Sequence, residues 1–320
     1  MISAYRTDHG KLMPLTKGQP IEDAIWVDLH KPLPGQEDLA SSLGIEVPTL
    51  ADMEEIEISN RLYRENGVDY MTVVLPGMSE TRQPMSGPVT FILTPERLVT
   101  VRHHVPRPFE TYPVRADKVG PGCDRSEKVF LGLIEEIIGR LADLLEGSGR
   151  ALEDVSRAVF ASDQQSKTAL SLQQALERVG REGDLVARIR LSLLTLDRAI
   201  SFFAQTLTER PVAELLRPVV TGMMRDLQAL EVHGDYLSAR VAQATDATLG
   251  MINLLQNTAV RIVSVVAVLF LPPTLIASIY GMNFVFMPEL DKSWGYPMAL
   301  GLMVASAVAT YMYFKWKHWL

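Results

Sequence analysis

From Ser126 onward, apolar residues return every three or four positions: Val129, Phe130, Leu133, Ile134, Ile137, Ile138, Leu141 and Leu145. That period places them on one side of a helix, and Leu152, Val155 and Val159 carry the same side on past Gly147 and Gly149. Helical patterning fills 168–207 as well. Earlier in the chain the pattern differs. The stretches AIWVDL (24–29), VDYMTVVLPGM (68–78) and PVTFILTPERLVTVRH (88–103) are rich in β-branched and aromatic residues and predict strands, the last with a TPER turn inside it. PTLADMEEIEI (48–58) predicts a helix packed on that sheet. Residues 1 to about 110 therefore predict an α/β region.

A third pattern occupies the C-terminal part. IVSVVAVLFLPPTLIASI (262–279) and MALGLMVASAVATYMYF (298–314) carry no charge, and each has the length of a membrane-crossing helix once flanking interfacial residues extend it. Between Pro218 and Pro272 there is no proline, and Leu227, Leu230, Leu237, Val241, Ile252 and Leu255 lead into the first apolar run without a turn signal. A helix over 219–271 would be about 80 Å long at 1.5 Å per residue. That is too long for one compact domain, so the pattern predicts a stalk that feeds the membrane.

Steps of three and four along stalk and first span pick out Asp246, Gly250, Asn253, Asn257, Val260, Ser264, Ala267, Leu271, Thr274 and Ser278, which share one helix face. Ile262, Val265, Val266, Val268, Leu269, Phe270, Leu275 and Ile276 cover the rest. Within a bilayer, small and weakly polar groups face either a neighbouring helix or a water-filled path. Extension of the stripe to Asn257, Asn253 and Asp246 favours the path, because a packing seam has little use for a carboxylate. Two spans cannot enclose a pore, so this reading requires several copies of the chain.

Composition narrows the function classes. With 320 residues and a formal net charge of −7, the chain has no basic face that would suit nucleic acid. The N-terminal residues lack the basic and apolar regions of a cleavable signal, which predicts a cytosolic start. The single cysteine, Cys123, has no neighbouring ligand and reads as an inert thiol. His103 and His104 are adjacent and point to opposite faces, while His9, His30, His233 and His318 are scattered, so no histidine metal site is expected. No phosphate-binding glycine loop and no grouping of nucleophile, base and orienting residue occurs, which predicts a non-enzyme that hydrolyses no nucleotide.

Flanking charge sets the expected orientation. Arg261 precedes the first span and Lys315 and Lys317 follow the second, whereas Glu289 and Asp291 share the intervening loop with Lys292. By the excess of basic residues on the inner side, both termini are predicted in the cytoplasm and YGMNF (280–284) at the outer mouth.

YGMNF followed by MPEL (287–290), FLPPTL (270–275) before it, WGYP (294–297) and the ending KWKHWL (315–320) resemble the CorA family of divalent-cation channels. The close match covers about residues 245–320, and the remainder is similar in layout. Met282 and MPEL resemble the magnesium branch rather than the zinc-transporting branch of the superfamily. The resemblance implies a funnel-shaped homopentamer in a bacterial inner membrane that passes Mg2+, and also cobalt and nickel, without nucleotide. The implied divisions are a cytosolic α/β domain at 1–160, a cytosolic helical region at 161–258 and a transmembrane domain at 259–320. Within the last, spans at about 260–280 and 297–315 flank an outer loop at 281–296.

Gly281, Met282 and Asn283 would be the selectivity filter, Asn257 a polar ring, and Val260, Leu271 and Thr274 constrictions, with Asp246 near the inner entrance. Asp226, one turn beyond Gly222, would supply a regulatory cytosolic Mg2+ site, and Glu289 and Asp291 would gather cations outside the filter. Magnesium dehydrates reluctantly and keeps several waters, so a ring of neutral Asn283 amides suits it better than a ring of carboxylates. The alternatives are a zinc-transporting relative or a membrane-tethered metal sensor that does not conduct. The polar stripe argues against a mere tether.

Overall fold

The computed structural model describes the chain apart from residues 17–18, 34, 36–43, 80, 161–167, 283–286, 289–291 and 318–320. The chain divides into two compact units, Met1–Phe160 with Glu177–Thr245 and Ala161–Leu176 with Asp246–Leu320.

The first unit is built on a seven-stranded sheet of β1 (Ile2–Asp8), β2 (Lys11–Pro14), β3 (Trp26–His30), β4 (Leu62–Glu65), β5 (Val68–Met78), β6 (Pro84–Leu93) and β7 (Leu98–Arg102), in the order β2-β1-β3-β7-β6-β5-β4. All neighbours are antiparallel except β3 and β7. Strand alternation sorts the side chains onto two faces. Val27, Leu29, Tyr70, Ile92, Val99 and Val101 meet Ile45 and Met53 on one. On the opposite side Phe91 packs edge-on against Phe130 at 5.5 Å, and Phe130 meets Phe203 at 5.0 Å. Within the sheet the buried Thr72 and Thr90, directly opposed, bond at 2.8 Å.

Three of these strands escaped the hydrophobic pattern. β1 and β2 meet at His9–Gly10, and β4 and β5 at Asn66–Gly67, all four residues having positive φ. Such paired left-handed residues form the two-residue hairpin turns that suit strand twist. The helix expected over 48–58 is two short pieces, α1 (Leu50–Glu54) and α2 (Ile58–Arg61). Thr49 caps α1 by accepting from the Asp52 amide at 3.3 Å, and the backbone leaves the helix at Glu55. Only Met53 of α1 is buried, so little apolar surface exists to hold a longer helix in place.

Further helices are α3 (Pro108–Arg115), α4 (Ser126–Phe160), α5 (Ala169–Leu207), α6 (Ala213–Tyr280) and α7 (Gly295–Trp316). α4 buries the apolar positions read from its period, from Val129 to Val159, and runs through both glycines. The turn between α5 and α6 is tied to the sheet by Arg210, which donates to Asp69 Oδ2 at 2.6 Å and to Glu127 Oε1 at 3.1 Å, all three side chains being buried. α6 is longer than its proline-free stretch, since it passes through Pro218, Pro272 and Pro273 and continues to Tyr280. In the second unit, the apolar part of α6 and the whole of α7 are long and apolar enough to cross a membrane, and few of their residues are buried.

Candidate ion pathway

Proline removes a backbone donor and normally bends or ends a helix. Tolerance of Pro272 and Pro273 within α6 keeps the stripe on one uninterrupted element. Asp246, Gly250, Asn253, Asn257, Val260, Ser264, Ala267, Leu271, Thr274 and Ser278 are all exposed. At about 100° per residue they occupy a sector of roughly 120°. The covered positions of the apolar segment lie on the other side: Val265 is buried, and Leu269, Pro272, Pro273, Ile276 and Tyr280 are half-buried. α7 likewise has one covered side, with Ala299 and Phe314 buried. A single copy of the chain thus covers the side of α6 remote from the stripe and leaves the stripe open.

The open face carries two kinds of group. Val260 and Leu271 present branched aliphatic side chains that are 65% and 69% exposed. Thr274 donates its hydroxyl to the Phe270 carbonyl, which turns oxygen lone pairs outward. Ile262, Val263, Phe270 and Leu275 on the same segment are exposed, a surface that in water would be strongly unfavourable.

At the end of α6 the chain tightens. The Gly281 amide donates to Ala277 O at 2.9 Å and the Met282 amide to Ile279 O at 3.3 Å. Gly281 and Met282 therefore stand at the carbonyl end of the helix, where unpaired C=O groups and the helix dipole favour a cation. Met282 is exposed. Asn283, Glu289 and Asp291 lie outside the described residues.

Among the described residues no three His, Cys, Asp or Glu side chains gather into a metal-binding group. Asp226 is exposed on α6. The carboxylates that influence one another on this stretch are different ones, which the sequence reading missed. Burial raises the Glu231 pKa first, and the nearby Asp197 and Asp235 raise it further. The i, i+4 spacing of Glu231 and Asp235 was legible on the helix, but the approach of Asp197 from α5 was not.

Cys123 is buried, donates to Gly10 O at 3.1 Å and has a thiol pKa raised chiefly by burial, so it stays protonated and unreactive. The His104 ring is buried with Nε2 2.9 Å from Leu75 O, which makes Nε2 the protonated nitrogen of a neutral ring. It sits over Gly77 and Gly87, where an added Cβ would come within 2.7 and 2.9 Å of the imidazole.

A sheet unit whose chain runs through one long helix into an apolar segment, with a second apolar helix after it and a polar stripe on the first, defines a class of membrane transport protein. The family model described as CorA-like Mg2+ transporter protein matches residues 22–316. The chain belongs to that family, as the motifs at its C-terminal end implied. It is 33% identical to the magnesium transport protein CorA of Haemophilus influenzae and 35% identical to that of Pasteurella multocida, in each case over 100% of both chains. The Escherichia coli K12 protein of the same name is 33% identical, again over 100% of both. The complete structure of the CorA magnesium transporter from Methanocaldococcus jannaschii superposes with a TM-score of 0.74 at 17% identity, covering 100% of this chain and 99% of that one. Full-length CmaX superposes at 0.65 with 16% identity, covering 98% and 96%, and these two likenesses speak for the fold alone.

Proposed function

We infer that the chain is a magnesium channel of the inner membrane, assembled as a homopentamer with both termini cytoplasmic. The observation that carries this reading is the open polar stripe on α6, opposite the covered side of the same helix and ending at Gly281 and Met282. Copies of α6 placed around an axis would turn that stripe inward and leave the apolar surfaces of α6 and α7 to lipid. Asp246 would stand at the inner entrance, with Asn253, Asn257, Ser264, Ala267 and Ser278 lining the path between apolar rings at Val260 and Leu271. Residues 1–160 and 161–258 would be cytosolic and 259–320 the membrane domain.

At the outer mouth Gly281, Met282 and Asn283 form the filter. Neutral amide oxygens accept hydrogen bonds from the first-shell waters of Mg2+ without stripping them, and the ion can then leave. Cobalt and nickel, as divalent ions of similar hydrated size, pass the same ring. Influx is passive: a divalent ion moving down about 100 mV releases roughly 4.6 kcal/mol. Cytosolic Mg2+ closes the path by binding acidic groups on the α6 stretch that includes Asp226, a shift toward the closed state driven by its tighter binding there.

Purified chain in liposomes loaded with a magnesium indicator tests this reading. Imposing an inside-negative potential should start magnesium entry without ATP, and raised internal magnesium should stop it. Val260→Ser and Leu271→Ser should keep conducting under that stopping condition, because a wetted constriction no longer closes by drying. Absence of any potential-driven magnesium entry would overturn the assignment.

A further inference from the structure

The two ends of α7 carry the same pair of side chains in the same arrangement. At its start Lys292 Nζ lies 5.4 Å from the centre of the Trp294 ring, and at its finish Lys317 Nζ lies 5.4 Å from the centre of the Trp316 ring. The two indoles are about 33 Å apart along the chain axis at 1.5 Å per residue, close to the thickness of a bilayer's hydrocarbon core. Both are exposed, Trp294 at 50% and Trp316 at 73%, and Tyr296, Tyr311 and Tyr313 are exposed beside them. Rings with an apolar body and a polar edge, at that separation, suit the two headgroup layers of a membrane.

Charge separates the two ends. Lys292 follows Glu289 and Asp291 in the chain, so its charge is locally outnumbered. At the other end Lys315 and Lys317 finish α7, and Arg261 stands on α6 at the start of the first apolar run. All three are exposed, and among the described residues none has an ion-pair partner. No Asp or Glu occurs between Asp246 and Glu289 or after Asp291. Asp246 is about 22 Å from Arg261 along α6, beyond the screening length of about 8 Å at physiological salt. A carboxylate at the chain end and the carbonyl end of α7 would offset part of this charge and still leave it positive. Arg261 sits about 80° from the middle of the polar stripe, beside it rather than on it.

We propose that Arg261, Lys315 and Lys317 bind the headgroup of an anionic phospholipid, with Trp316 and Tyr313 resting against its glycerol and upper acyl chains. The proposal rests on the reading that both apolar runs cross the membrane, since two crossings return Lys315 to the side on which Arg261 begins. Guanidinium and ammonium groups donate charge-assisted hydrogen bonds to phosphate oxygens. A zwitterionic headgroup brings a cation of its own, which the same three residues repel. The Lys292 end, with two carboxylates alongside in the chain, has no such preference, so the site belongs to one leaflet only. A water-soluble phosphate would meet the charges but leave the exposed Tyr313 and Trp316 rings uncovered, and only a lipid answers both features.

The test titrates the full chain in detergent with phosphatidylglycerol and with phosphatidylcholine of the same acyl chains, and measures retained lipid by native mass spectrometry. Phosphatidylglycerol should bind at least about ten-fold more tightly. Lys315→Gln combined with Lys317→Gln should weaken its binding about 25-fold, at about five-fold for each cation near an anionic headgroup. Lys315→Arg combined with Lys317→Arg should bind it as the wild type does, and so should Lys292→Gln. The readout involves no ion movement, so its failure is distinct from a failure of magnesium entry. The proposal is overturned if the two lipids bind alike, if the double glutamine variant keeps wild-type binding, or if Lys292→Gln weakens binding as much as that variant does. It is equally overturned if glycerol 3-phosphate displaces the lipid at equal concentration, which would assign the charges to a free phosphate.

Discussion

In the sheet unit the charged side chains Asp69, Glu127 and Arg210 are inside and bonded to one another, while in the helical unit Val260, Val263, Phe270 and Leu271 are outside. The same residue chemistry is thus distributed in opposite ways along one chain. In water an exposed run of branched aliphatic residues is unfavourable by about 25 cal/mol for each Å² left uncovered. In lipid that penalty vanishes, and the constraint passes to backbone and polar groups, which a helix satisfies internally. The contrast teaches that burial within a single copy measures stability in the first unit, whereas in the second the uncovered apolar surface marks helices of membrane-crossing length and composition.

The most drastic way to separate the two regions is at the mouth. Asn283→Ala should reduce magnesium entry into liposomes to background while oligomer size and the circular dichroism of the chain stay as in the wild type. Persistent wild-type flux would remove the amide ring from the mechanism. In the sheet unit the corresponding break is Arg210→Met, which takes the only cation from the buried Glu127 among the described residues and leaves the buried Asp69 with Arg64 and Thr206. Loss of one partner of a buried pair should lower stability by about 3–5 kcal/mol, read from chemical denaturation, with Arg210→Lys losing less.

A third measurement sharpens the comparison through pH. Burial pushes the His104 pKa down to about 4 from an ordinary value near 6.5. The unfolded chain therefore takes up a proton at higher pH than the folded one. Stability from this group is fully present above about pH 6.5 and is lost as the pH falls to about 4, by roughly 3 kcal/mol at the end of that window. His104→Gln should flatten this slope in urea titrations followed at several pH values, and an unchanged slope would assign the acid sensitivity to other groups. The smallest effect is expected at Asp226→Asn, which should raise by a few-fold the internal magnesium concentration needed to stop entry. No change there would direct attention to Glu231 and its neighbours Asp197 and Asp235.

Much of this molecule could be read from its period. The buried side of α4, the strand at Val68–Met78, the Thr94–Arg97 turn and the two apolar runs all follow from local repetition, since a side chain's face is set by its position along a regular element. The edge strands β2 and β4, and β1 next to the edge, were less legible because they bury few side chains, so their alternation is weak. Asn66–Gly67 was nonetheless a usable sign of a hairpin. The stripe on α6 was also visible, but that it lies opposite the covered side of the helix was not, because periodicity gives an angle and not a neighbour.

What the amino-acid sequence by itself determined is the succession of an α/β region and long helices, the two apolar helices, the stripe and the family motifs around Gly281 and Met282, each a property of spacing along the chain. Only the tertiary structure decided that Arg210 joins Asp69 and Glu127 across 141 and 83 residues, that Asp28 and Arg102 neutralise each other, and that the His104 ring meets Leu75 O. These contacts depend on which distant elements the packed sheet and helices bring within about 3 Å, the range over which hydrogen bonds and ion pairs act.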